Sequence, residues 1–231
     1  MSKLPHAVVT GASSGIGRAI VQRLLQDGWR VTGLCRSMPE DRHPNLRIVQ
    51  ADVAEIAQLP KVCAQITADG APVQALVHAA GFMRVAPLGE LDSAAGAAMW
   101  QLHVQAAEVL ANQLLPHMPD GARIVLIGSR TANGSPTRSQ YAATKAALVG
   151  MARSWAAELA PRGITVNVLA PGATDTPFLR DPARAQTQAR VPPIGRFVQP
   201  EEVAGLAAFL LGPLGGAMTG QHLVMCGGAS L

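Results

Sequence analysis

Aromatic side chains are scarce in this 231-residue chain: one Tyr, three Trp and four Phe, 3% in all. Its core has to be assembled from Ala, Val, Leu and Ile instead, and with 48% apolar residues the material is ample. Charge is thin as well, at 15% of residues, and that balance excludes a disordered chain. Lysine is almost missing: three lysines stand against sixteen arginines, for a formal net charge of +4. The arginines occur singly, with no basic run and no aromatic interleaving. That pattern argues against nucleic-acid binding and suits small anionic ligands. No hydrophobic run approaches the roughly 20 residues of a membrane span. Cys35, Cys63 and Cys226 are odd in number, far apart and form no CxxC pair. They exclude a disulfide frame and a zinc site, and no metal is expected. Met1 to His6 carries no signal-peptide core or cleavage site, so the expected location is cytoplasmic.

What is present is a regular alternation. Strand-like apolar runs lie at Ala7 to Thr10, Arg30 to Leu34, Leu46 to Val49, Val73 to Val77, Arg123 to Ile127, Ile164 to Val168 and Gln221 to Met225. Helical stretches fall between them: Ile16 to Gln26, Ala54 to Ala68 with an irregularity at Pro60, Leu91 to His117, Ser139 to Ala160 and Glu201 to Leu211. Continuous apolar strands alternating with helices predict an α/β fold, a parallel sheet covered on both faces, with right-handed crossovers. No linker, repeat or low-complexity tract divides the chain, so one domain spanning residues 1–231 is expected. The irregular, Pro- and Arg-rich stretch at about 175–198 reads as a substrate loop.

The single tyrosine, Tyr141, is followed four residues later by one of the three lysines, Lys145. Three lysines in 231 positions make a chance pairing about a 1% event, so the pair is a motif hypothesis. At i and i+4 on a helix the two side chains lie on one face, and an ammonium beside a phenol favours the phenolate. The first strand runs into Thr10-Gly11-Ala12-Ser13-Ser14-Gly15-Ile16-Gly17 and then into a helix. Gly11 permits the tight turn, Gly15 a close backbone approach, and Gly17 close helix–strand packing; the helix N-terminus offers amides to a pyrophosphate.

In these segments the chain resembles the short-chain dehydrogenase/reductase family, in its TGxxxGxG/YxxxK group, over nearly its whole length. Besides the loop and Tyr141 to Lys145, the resemblance rests on Asp52-Val53, Ala79-Ala80-Gly81, Ser129, Pro171-Gly172 with Thr176, Pro193 to Phe197, and Pro200 to Ala204. It implies a seven-stranded, doubly wound Rossmann-type sheet and an oxidoreductase. Tyr141 would pass a proton to a carbonyl oxygen held by Ser129, while Lys145 would lower the Tyr pKa and hold the ribose. Cofactor contacts are implied at Gly11, Ser13, Ser14, Gly15, Ile16, Gly17, Asp52, Val53, Ala79, Ala80, Gly81, Tyr141, Lys145, Pro171, Gly172, Thr174 and Thr176. Where NAD-preferring relatives carry an Asp, this chain has Cys35, followed by Arg36 and Ser37. An arginine there suits a 2′-phosphate, so NADP(H) is favoured over NAD(H).

Two positions depart from the family pattern. His103 stands where an Asn is usual, and its imidazole reads either as a titrating member of a proton relay or as a packing histidine. It is expected to be modulatory, and Ser129 and Tyr141 essential. His78-Ala79 replaces Asn-Asn, which removes amide hydrogen bonds expected to brace the sheet. Three functional readings stay open: an NADP(H)-dependent reductase of a carbonyl such as a 3-oxoacyl thioester, an alcohol or dihydrodiol dehydrogenase working oxidatively, and a non-catalytic dinucleotide-sensing regulator. The Ala-rich helices from Leu91 to His117 and Ser139 to Ala160 imply a homodimer or homotetramer.

Overall fold

The computed structural model describes residues 4–39, 42–181 and 189–231. Seven strands form one parallel sheet: β1 (His6–Thr10), β2 (Arg30–Cys35), β3 (Leu46–Gln50), β4 (Ala75–His78), β5 (Arg123–Ile127), β6 (Thr165–Pro171) and β7 (His222–Met225). Their spatial order is β3-β2-β1-β4-β5-β6-β7, the doubly wound arrangement expected. The helices are α1 (Gly15–Gln26), α2 (Leu59–Thr67), α3 (Ser93–Trp100), α4 (Ala106–Leu114), α5 (Ser139–Leu159) and α6 (Pro200–Leu211).

Alternation along each strand divides the core in two. Val8, Leu76, Ile124, Leu126, Val166 and Val168 face one side, packing with Leu59 and Ile66 of α2, Leu110 of α4 and Leu148 of α5. Ala7, Val9, Val77, Val125 and Leu169 face the other, against Ile20 and Leu24 of α1 and Val203 and Leu210 of α6. Small aliphatic side chains thus suffice, because the inner strands β1, β2, β4, β5 and β6 are buried on both faces.

Several boundaries differ from the sequence reading. β4 begins at Ala75 rather than Val73. Pro60 does not interrupt a helix; it sits in the first turn of α2, where a missing N–H costs nothing, after a 3₁₀ turn at Ile56–Gln58. The long helix from Leu91 to His117 is three pieces: α3, a π-helical turn at Gln101–Gln105, and α4 running into a 3₁₀ turn. A π-turn carries one extra residue per turn and is common at functional sites. Here it holds His103.

The strand order reverses between β1 and β4, so a crevice opens at their C-terminal ends. His78 ties this junction together. Thr10 Oγ1 accepts from the backbone N–H groups of Ala79 and Ala80, each at 3.0 Å. Its own proton is therefore donated to His78 Nδ1 at 3.1 Å, and His78 Nε2–H donates to the Leu102 carbonyl at 3.0 Å. The expectation that His78-Ala79 leaves the sheet unbraced is corrected: one imidazole joins β1, β4 and the π-turn. His78→Ala orphans the Leu102 carbonyl and the Thr10 hydroxyl, and is expected to cost about 2–4 kcal/mol of unfolding free energy. Urea denaturation measures this; a change below about 0.5 kcal/mol, the size of an ordinary surface effect, would refute the bracing role.

Candidate active site

One cleft of about 1420 Å³ runs along the C-terminal ends of the strands. At its first end the loop after β1 turns at Gly11 (φ 68°) and Gly15 (φ 52°). A Cβ on Gly17 would overlap the Gly11 carbonyl oxygen, so only glycine lets the helix start that close to the strand. The N-cap Ser14 makes no side-chain capping bond and the first turn of α1 holds no acidic residue. The N-terminal amides are left for an anion from outside, which fits a dinucleotide pyrophosphate. Arg36, with buried Cys35 before it, lines the same end, and Asp52 and Val53 lie beside it. Ser37, next to Arg36, is exposed at the same end of β2.

Ser129, Tyr141 and Lys145 meet further along the cleft with Ala79, Ala80, Gly81, Pro171, Gly172, Thr174 and Thr176. Ser129 ends the β5 segment and caps a 3₁₀ turn at Arg130–Asn133. Its Oγ accepts from the Thr131 N–H at 3.1 Å and lies 2.8 Å from Thr131 Oγ1. Either hydroxyl can donate in the second contact; in the arrangement where Thr131 donates, the Ser129 proton is free to point into the cleft. The sequence reading missed Thr131; the Ser-x-Thr spacing of a side-chain-stabilised turn was its signal.

Tyr141 and Lys145 lie on the first turns of α5, both buried. The Lys145 Nζ lies 5.7 Å from the Tyr141 ring centroid and donates to the Ile127 carbonyl at 2.8 Å. Burial pushes its pKa down to about 7. Around the tyrosine, Met83 and Met99 with the half-buried Phe82, Val85 and Phe178 make an apolar wall.

His103 does not line the cleft; it stands behind the wall, fully buried. Thr144 Oγ1 donates to the Tyr141 carbonyl at 2.8 Å, so it accepts from His103 Nδ1–H at 2.8 Å. His103 Nε2 is then a bare acceptor, and takes the Phe82 N–H at 3.2 Å. This network fixes a neutral imidazole with both nitrogens used. Burial first, then the charge of Lys145, hold its pKa well below the ordinary value. With both ring nitrogens engaged, the ring positions Gly81-Phe82 against α5, in keeping with the packing alternative for His103. A Cβ on Gly81 would lie 3.1 Å from His103 Nε2 and 3.7 Å from Lys145 Nζ, so the three are packed to contact. The irregular stretch at about 175–198 is pinched at its base by the Thr174–Val198 bridge. Residues 182–188 of it lie outside the described residues.

The buried histidines give a pH signature with a definite sign. In the folded protein His6 is lowered to about 4 and His78 to about 3, both chiefly by burial, and His103 is also lowered. Unfolded, all three titrate near 6.5, so unfolding takes up protons below that pH and stability falls with acid. Between pH 6.5 and 5, where carboxylates stay ionised in both states, the slope is expected at about 1–4 kcal/mol per pH unit. Lys145 extends the rise from about pH 7 to 8.5, and Lys145→Met is expected to flatten that upper part. Urea unfolding of cofactor-free protein across pH 5 to 8.5 checks both; a flat profile would contradict the neutral-histidine assignment.

The relatives bear on this geometry. The family model described as enoyl-(acyl carrier protein) reductase matches residues 11–230. The 2,3-dihydro-2,3-dihydroxybenzoate dehydrogenase of Escherichia coli (strain K12) is 33% identical, covering 96% of each chain. The 3-oxoacyl-(acyl-carrier-protein) reductase FabG of the same organism is 34% identical over the same shares. Among solved structures, a blue fluorescent protein from a metagenomic library, in complex with NADPH, superposes with a TM-score of 0.88 at 34% identity, covering 98% of each chain. A match over nearly the whole chain, on the sheet order and cleft just described, leaves one conclusion: the chain belongs to the short-chain dehydrogenase/reductase family of oxidoreductases.

Proposed function

We propose that this chain is an NADP(H)-dependent reductase of a carbonyl compound, with Tyr141 as general acid and base. The observation that carries the reading is the convergence of Ser129, Tyr141 and the buried Lys145 on the cleft that begins at the glycine loop. Bound NADPH supplies a hydride to the carbonyl carbon. Ser129 O–H donates to the carbonyl oxygen, and the Tyr141 phenol transfers its proton to that oxygen as the C–O double bond becomes a single bond. The Lys145 charge attracts the negative charge left on the Tyr141 oxygen, which recovers its proton from solvent. Apolar walls from Met83, Met99 and Phe178 keep water from weakening that attraction. In the oxidative direction each transfer runs backwards.

The cofactor preference rests on Arg36, which lines the cleft without a carboxylate partner among the described residues, and on Cys35 at the preceding position. The fork of a guanidinium suits a 2′-phosphate, and the residue that ends β2 is Cys35 rather than an acid that would hold a 2′-hydroxyl. The relative bound to NADPH supports the same choice. A second reading, a dihydrodiol dehydrogenase working oxidatively, is favoured by the similarity to the dihydrodihydroxybenzoate enzyme. For assembly we propose a homodimer or homotetramer through α5, where Ala143, Ala146 and Gly150 are exposed.

Absorbance at 340 nm with a panel of ketones and alcohols tests the reaction and its direction. Tyr141→Phe is expected to lower kcat by at least about 1000-fold while NADPH still binds, because the proton donor alone is removed. Near-wild-type turnover would overturn the mechanism. Arg36→Ala is expected to raise the KM for NADPH about tenfold or more and to move that for NADH little. A wild-type kcat/KM that favours NADH would reverse the cofactor assignment.

A further inference from the structure

The reacting end of the cleft carries two arginines that the proposed reaction does not use. Arg130 follows Ser129, and Arg138 precedes Tyr141 by three residues at the N-cap of α5. Neither has an ion-pair partner among the described residues. The nearby carboxylates are engaged elsewhere: Asp175 with Arg180 at 2.6 Å, and Asp181 with Arg84 at 3.7 Å. Arg130 Nη1 donates to the Ala229 carbonyl at 3.1 Å, which steadies it against the C-terminal turn.

Arg138 is held at a cost. Its Nε is buried without a hydrogen-bond partner, an expensive state for a guanidinium N–H. The residue before it, Thr137, has φ 63°, a left-handed conformation that is an outlier for a β-branched side chain. No other non-glycine residue among those described has a positive φ. The Ala86 N–H donates to the Thr137 carbonyl at 2.9 Å and pins the strained turn to the loop after Gly81. Burial and then the charge of Arg130 lower the Arg138 pKa, while the charge of Tyr141 raises it, so the three groups share one local field. The Nε is shut off from the cleft, so what an incoming anion meets is the rest of the guanidinium and the charge of Arg130, an uncompensated pair of cations at one spot.

We propose that Arg138, with Arg130 beside it, binds a carboxylate carried by the substrate, so that the substrate is a small oxo or hydroxy acid. The proposal rests on the oxidoreductase reading and narrows it. Because Arg138 sits against Tyr141, the anion belongs to the same small molecule as the reacting carbon. An anion at the far end of a long carrier arm would lie outside this reach. The apolar groups opposite, Met83 and Phe178, would cover the carbon skeleton between acid and carbonyl.

The kinetic test pairs 4-oxocyclohexanecarboxylate with its methyl ester, ketones that differ in charge and little in carbonyl electronics. The wild type is expected to favour the acid in kcat/KM by about tenfold or more, and Arg138→Gln to lose that ratio, with Arg138→Lys restoring part of it. Arg130→Gln is expected to lower the ratio less. An acid-to-ester ratio unchanged in Arg138→Gln overturns the proposal, as does an equal fall for both ketones with a shifted pH profile, which would make Arg138 a partner of Tyr141 alone. Calorimetry with cyclohexanecarboxylate and its neutral carboxamide, on protein saturated with NADP, needs no turnover. Acid-selective binding that is lost in Arg138→Gln upholds the anion site even if no ketone is reduced, which would sink only the reductase reading. No acid binding by the wild type, or tighter binding of inorganic phosphate, overturns the carboxylate assignment. NADPH binding by each variant verifies that it is folded.

Discussion

The burial of Lys145 is the constraint around which the site is arranged. A lysine amine taken out of water favours its neutral form, and this one is lowered to about 7, close to the point of losing its charge. What steadies it is one carbonyl, that of Ile127 at the end of β5, at 2.8 Å. That bond ties α5 to the sheet and thereby fixes where Tyr141, one turn earlier on the same helix, presents its phenol. A lysine on a solvated helix face would hold its charge more firmly and position nothing.

Two histidines next to such a group have to be neutral, and the network makes them so in different ways. His78 is the Nε2–H form because the Thr10 hydroxyl donates a hydrogen bond to a bare Nδ1 and the Leu102 carbonyl can only accept from Nε2–H. His103 is the Nδ1–H form because the Phe82 N–H can only donate to Nε2. Either ring, protonated, would place a cation beside Lys145 and turn an accepting nitrogen against a donor. The two imidazoles brace this junction, with side chains long enough to reach the π-turn from β4 and the Phe82 loop from that turn. The extra residue of the π-turn is what carries His103 to that position.

The layers of the fold were legible in the sequence because parallel strands buried on both faces leave unbroken apolar runs, such as Ala7 to Thr10 and Arg123 to Ile127. The glycine loop was legible for a local reason: backbone crowding at Gly17 admits no side chain. Tyr141 and Lys145 stood out by their spacing on one helix, whereas Ser129 was named only through the family resemblance, because a lone serine after a strand carries no signal of its own. The π-turn at Gln101–Gln105 was not legible, because it changes the register of a helix without changing its apolar pattern. The tautomers of His78 and His103 depend on partners as much as 68 residues away along the chain, Thr10 among them.

Charge along the cleft follows from the same arrangement. The cofactor end offers the uncapped amides of α1 and the Arg36 guanidinium; the far end offers Arg130 and Arg138. Between them lie Lys145, Tyr141 and apolar walls, with carboxylates near the far end already paired. Such a cleft attracts an anion to each end and keeps its centre free of fixed negative charge. Negative charge that develops on Tyr141 as its proton leaves then meets the attraction of Lys145, and Arg138 lies within the same local field. A carboxylate bound at Arg138 would screen that guanidinium and leave Lys145 to act on the phenolate. Substrate charge and the strength of the acid are therefore coupled through a single guanidinium, and the strain at Thr137 is the structural cost of holding it there.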